Sequence, residues 1–148
     1  MAKKVLVIDD DENTVRFFSL ALSENGYEPV GAFDGNEGLE KVREIQPDLI
    51  VLDVMMPRRS GFVLFKQLRK NPEFEKIPVI MVTGVAEELE AQMGEDGTGE
   101  DRFDGLKQSL AHAITKMREE GLVKPEKFVD KPVDPEELVD AVRELIGD

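Results

Sequence analysis

Short apolar runs alternate along this chain with longer stretches in which apolar residues recur every three or four positions. The run VLVI (5–8) has the length of a buried strand. From Asn13 to Asn25, Val15, Phe18, Ala21 and Leu22 fall on one face of a helix that Gly26 stops. EPVGAF reads as a weaker second strand, followed by a helix capped by Asn36, running through Glu44 and ended by Pro47. DLIVLDVMM (48–56) is apolar almost without a break, as expected of a central strand covered on both faces. A helix from Ser60 to Arg69 turns Phe62, Phe65 and Leu68 inward, and IPVIMVT (77–83) is a further central strand. KFVDK (127–131) is a shorter strand, and Asp134 caps a last helix carrying Leu138, Val142, Leu145 and Ile146. Strands alternating with helices predict an α/β fold built on a parallel sheet.

A length of 148 residues fits one domain with a real core. Nineteen basic residues against 32 acidic ones leave a formal net charge of -13, which argues against an electrostatic nucleic-acid footprint or binding to an anionic membrane. With no cysteine there are no disulfides, thiolate metal sites or cysteine nucleophiles. No segment approaches the roughly 20 apolar residues of a membrane span, and MAKK leads into a strand without a signal-peptide core, so a cytoplasmic protein is expected.

The first strand ends in Asp9, Asp10, Asp11 and Glu12. Such a cluster is costly unless a cation sits among the carboxylates or water screens them. These residues alone leave two readings: a metal-centred group, or a solvated acidic turn whose Asp11 or Glu12 caps the next helix. In a parallel α/β sheet, ligand chemistry collects beyond the carboxyl ends of the strands, where the strand order reverses. Asp9 and Asp10, Asp53, Thr83 with Gly84, and Lys131 before Pro132 all stand at such ends. If these strands are neighbours, three carboxylates, a hydroxyl and an ammonium meet at one rim.

This combination resembles the receiver domain of two-component response regulators, in its single-domain, chemotaxis-receiver-like form. The resemblance rests on Asp9-Asp10 after VLVI, Asp53 in LIVLDVMMPRRSG, Thr83-Gly84 in VIMVTG, and Lys131-Pro132 in VDKPV. It covers Lys3 to about Val85 and again Phe128 to Ile146. It implies a doubly wound, flavodoxin-like sheet of five parallel strands in the order 2-1-3-4-5, formed by residues 1–148 as one receiver domain.

What the family implies for the site has a physical basis. Asp53 would take a phosphoryl group from a phosphohistidine on a sensor histidine kinase or a histidine phosphotransfer protein. A carboxylate attacks a dianionic phosphoryl group poorly, so a divalent cation, magnesium or manganese, has to offset the charge. Asp9, Asp10, Asp53 and the backbone carbonyl of Met55 would be its oxygen ligands. Lys131 and Thr83 would each meet a phosphoryl oxygen. Phe128 would turn inward when Thr83 moves, altering a partner-binding face. Gly84 leaves the site open, and a cis bond before Pro132 aims Lys131 inward.

Thr83 and Lys131 are 48 positions apart. A loop, an average helix and a second loop need roughly 20 residues. An insertion over about 86–124 between the fourth and fifth strands is therefore expected. It comprises the acidic, glycine-rich EELEAQMGEDGTGEDRFDG and an amphipathic helix from Leu106 to Glu120. The acidic part lacks calcium-loop spacing, which leaves a solvated loop or a device that remodels the switching face or shields Asp53. His112 lies off the apolar stripe of that helix and reads as a surface residue.

The expected protein is thus a stand-alone phosphoacceptor rather than a turnover enzyme, one that promotes its own phosphorylation and dephosphorylation. It would switch a docking face for a downstream protein or relay the phosphoryl group, as a monomer or a phosphorylation-dependent dimer, without direct nucleic-acid contact or membrane insertion. Two rivals stay open. One is a pseudo-receiver that docks without phosphorylation. The other is a magnesium-dependent phosphatase, disfavoured because the general-acid position two residues after Asp53 is Met55.

Overall fold

A computed structural model describes residues 2–54, 61–83, 125–131 and 133–147, together with 115 and 119. Five strands, β1 (Lys4–Ile8), β2 (Glu28–Ala32), β3 (Leu49–Asp53), β4 (Val79–Thr83) and β5 (Lys127–Asp130), form one sheet in the order β2-β1-β3-β4-β5. Every pair is parallel, as the alternating pattern of the chain requires. All of β3 and β4 is buried, whereas β2 and β5 are the sheet edges. Continuous apolar runs thus mark the centre and weaker runs the rim.

Among the described residues, four helices cover the sheet: α1 (Glu12–Glu24), α2 (Gly35–Ile45), α3 (Gly61–Lys70) and α4 (Pro135–Ile146). Asp11 caps α1 by accepting from the Asn13 amide. Gly26, at φ 90°, closes its other end, where the Gly26 and Tyr27 amides donate to the carbonyls of Ser23 and Leu22. Asp134 caps α4, with Pro135 in the first turn.

The cap of α2 is Asp34, whose carboxylate accepts from the Glu37 amide, and not the Asn36 expected from the sequence. Gly35 and Asn36 already belong to the first turn of the helix, so the capping position falls two residues before Asn36.

Two core layers result. Leu6, Ile8, Ile50, Leu52 and Met81 point towards α2 and α3, whereas Val5, Val7, Val51, Ile80, Val82 and Val129 point towards α1 and α4. Phe62 and Phe65 of α3 are fully buried, and each contributes about 1.5–3 kcal/mol by leaving water. Leu138 and Val142 are buried as expected, while Leu145 and Ile146 are only partly buried against the same layer. No described helix is long and apolar enough to cross a membrane. The expected insertion over 86–124, with His112, lies outside the described residues apart from 115 and 119.

Candidate functional site at the carboxyl ends of the strands

Period-two alternation explains how three strands deliver charge to one place. Val7, Val51 and Val129 belong to the core layer under α1 and α4. Asp9, Asp53 and Lys131 each follow two residues later, so the pleat directs all three side chains to that same side, just past the core. The β1–β3 register sets Ile8 opposite Leu52, which brings Asp9 and Asp53 level with one another.

The four acids that end β1 divide into different roles. Asp9 is 2% exposed, and its amide extends the ladder by donating to the Ala32 carbonyl at 3.1 Å. Its Oδ1 accepts from the Asp11 amide at 2.9 Å. Asp10 faces solvent. Asp11 caps α1 and also accepts from the Thr14 hydroxyl; that hydrogen bond and the one from the Asn13 amide hold its carboxyl below the usual range. Glu12 lies in the first turn and pairs with exposed Arg16 at 3.6 Å. The acidic turn and the buried cluster, which looked like alternatives in the sequence, are both present.

Asp53, also 2% exposed, lies 3.3 Å from the Lys131 ammonium through Oδ1. The same ammonium is 3.9 Å from Asp9 Oδ2. Carboxylate oxygens of Asp9, Asp10 and Asp53 all fall within 4.8 Å of one another. Burial raises the Asp9 pKa to about 7, with the charges of Asp53 and Asp10 adding to the rise and the Asp11 amide and Lys131 opposing it.

Asp9 Oδ2 is buried and accepts no hydrogen bond from the described residues. A buried, unsatisfied acceptor among three carboxylates, with one ammonium at the margin, is a donor set suited to a hard divalent cation. The residues present therefore fit magnesium or manganese. Met55, Gly84 and Pro132 lie outside the described residues.

Thr83 ends β4, fully buried, and its carbonyl accepts from the Lys131 amide at 3.0 Å. Phe128 stands opposite Met81 in the β4–β5 register, which puts it on the same sheet face as Thr83, two residues further on. It is partly buried against the layer containing α2 and α3.

Gly61 does more than open α3. A Cβ there would come within 2.5 Å of the Asp53 carbonyl oxygen and 2.7 Å of Val54 Cα. The start of α3 is therefore packed directly on the backbone that presents Asp53. Its place eight residues after Asp53 gives no sign of this contact in the sequence; the close approach is what requires a glycine there.

Residues 5–101 match the family model of the response regulator receiver domain. Hybrid signal transduction histidine kinase D of Dictyostelium discoideum is 49% identical over 84 residues, 57% of this chain and 5% of that protein. The alkaline phosphatase synthesis transcriptional regulatory protein PhoP of Bacillus subtilis is 42% identical over 94 residues, 64% of this chain and 38% of its own length. The chain thus spans well under half of these curated relatives. The solved chemotaxis protein CheY4 of Vibrio cholerae superposes with a TM-score of 0.69 at 25% identity, covering 97% of this chain and 98% of that one. With the sheet order, the acidic rim and the sequence match in agreement, the chain belongs to the response regulator receiver domain family.

Proposed function

We propose that residues 1–148 act as one receiver domain in which Asp53 accepts a phosphoryl group from a phosphohistidine on a sensor histidine kinase or phosphotransfer protein. The observation that carries this reading is the setting of Asp53. Its carboxylate is buried at a strand end, 3.3 Å from an ammonium and inside an acidic group fit for a cation. A structural carboxylate in the middle of a sheet has no need of that company.

Receiver domains bind magnesium through such an acidic cluster; here Asp9, Asp10 and Asp53, with the Met55 carbonyl, would hold it. The bound cation supplies positive charge against which the phosphoryl oxygens and Asp53 can approach. An Asp53 oxygen forms a bond to phosphorus as the phosphorus–nitrogen bond of the donor breaks, and the imidazole leaves with a proton. Lys131 holds one phosphoryl oxygen as a point charge, and the Thr83 hydroxyl donates to another. Moving that hydroxyl frees space on the sheet face shared with Phe128, whose ring turns inward and alters the surface beside β5. On the family pattern, Gly84 would leave the approach to Asp53 open and Pro132 would aim Lys131 inward. The modified chain then docks on a protein target or passes the group on, in the cytoplasm.

Intact mass after incubation with acetyl phosphate and magnesium tests this. One gain of roughly 80 Da that needs both Asp53 and the metal supports phosphoacceptor chemistry. No gain, repeated with a phosphohistidine donor, would leave a docking module that is never phosphorylated.

A further inference from the structure

β5 presents a problem of register. It has four residues and, among the described residues, lies at the sheet edge and pairs with β4 alone. A slip of one residue would turn every side chain to the opposite face and carry Lys131 away from Asp53. So short a ladder is a weak specification of register on its own.

An ion pair at the far end of the strand supplies what the ladder lacks. Arg69 of α3 is buried, its side chain 3% exposed and its guanidinium 4.7 Å over the Phe65 ring. Nη1 donates to the carbonyls of Glu75 and Ile77, so the cation is held in one orientation by the loop before β4. Nη2 donates to both carboxylate oxygens of Glu126, at 2.6 and 2.7 Å. Glu126 Oε1 also accepts from the Val79 amide at 2.7 Å, while the Glu126 amide donates to the Val79 carbonyl at 3.1 Å. One residue at the start of β4 is thus gripped by the backbone and the side chain of the residue before β5.

The neighbours of Glu126 sharpen the selection. A slip in one direction would bring Pro125 to Arg69, leaving a buried charge without a counter-ion. A slip in the other would bring Lys127, a like charge. In the observed register Lys127 points elsewhere and pairs with Glu144 of α4 at 2.6 Å, so consecutive residues are keyed to opposite layers.

We infer that Glu126, gripped by Arg69, is a positioning residue for phosphoryl transfer: it sets the register of β5 and so places the Lys131 ammonium at Asp53, about 16 Å away along the strand. The inference rests on the role proposed for Lys131.

The test uses the full chain carrying Glu126→Ala, Glu126→Gln, Lys131→Ala, and Lys131→Ala with Glu126→Ala. Cross-strand proton contacts by NMR, Ile80 with Lys127 and Thr83 with Asp130, report register; acetyl phosphate with magnesium reports the rate of mass gain. Glu126→Ala is expected to lose those contacts and to slow phosphorylation by on the order of 10²-fold, the loss expected when the Lys131 ammonium is withdrawn from the site. Magnesium, held by the aspartates, still binds. Glu126→Gln, which keeps the acceptor for the Val79 amide, recovers part of the rate and serves in place of the alanine variant if that one fails to fold. In the double variant Glu126→Ala adds nothing to the loss from Lys131→Ala, because both act through one group. Glu126 variants that melt at a lower temperature but keep the contacts and the rate would reduce the pair to a structural tie and overturn the inference. If Lys131→Ala itself keeps the full rate, the role given to Lys131 falls, and the NMR contacts alone decide that of Glu126.

Discussion

The Lys131 ammonium stands 3.3 Å from Asp53 Oδ1 and 3.9 Å from Asp9 Oδ2, bridging the ends of three strands that are far apart in sequence. At 36% exposure its side chain, unlike the buried carboxylates of Asp9 and Asp53, is open to an incoming phosphoryl group without unpacking of the core.

Lys131→Ala should therefore slow phosphorylation of Asp53 by on the order of 10²-fold, the usual loss when one preorganised charge is removed from an anionic transition state. The same change should tighten magnesium binding, because an ammonium that competes with the metal for Asp53 and Asp9 is gone. Calorimetric titration of the metal and the rate of mass gain read the two effects; a variant that loses metal affinity would contradict this arrangement.

In the metal-free protein Asp9 keeps its proton up to about pH 7 when folded, against 3.8 when unfolded. Below 3.8 both states are protonated and the group is neutral in its effect. Between 3.8 and about 7 only the folded state holds the proton, so this group's contribution to stability falls as pH rises through that window. Magnesium must displace the proton, so its affinity should climb with pH and level off above about 7. Denaturation in chelator at several pH values, with Asp9→Asn as the control that removes the slope, checks the first statement. Metal titrations at the same pH values check the second.

Gly61→Ala should lower stability by about 1–3 kcal/mol, the cost of forcing atoms into a packed contact. Backbone rather than a flexible side chain stands in the way, at the Asp53 carbonyl and Val54 Cα, so α3 or the end of β3 has to move. Phosphorylation should slow with it. Urea denaturation together with the rate of mass gain would show both, and a variant with unchanged stability would mean that the helix start yields freely.

Thr83→Ala should separate chemistry from signal. Asp53 would still gain mass, more slowly, but an NMR probe on Phe128 that shifts on phosphorylation of the unaltered chain should stay still, since no hydroxyl is drawn away from their shared sheet face. An unchanged Phe128 response in the variant would break the proposed link.

Much of this organisation can be seen in the order of residue types. The apolar runs within β1, β3 and β4 mark strands because backbone geometry is local, and the polar residues at their ends, Asp9, Asp53 and Thr83, mark the rim because a parallel α/β sheet exposes its chemistry there. Asp11 as a cap and Asp134 as a cap are visible for the same reason: each is satisfied by amides within three residues. Even the shared orientation of Asp9, Asp53 and Lys131 is latent in the valines two positions before them.

Register and burial are another matter, since they depend on partners distant in the chain. Nothing near Gly61 announces that it rests on the carbonyl of Asp53, and Arg69 and Glu126 are 57 positions apart. Asp9 resembles its acidic neighbours until the sheet closes over it; the packed strands then exclude water from one carboxylate, leave the next in solvent and turn the third onto a helix end. Chain periodicity sets which face a side chain takes, whereas desolvation and strand pairing across the sheet set which of those side chains meet.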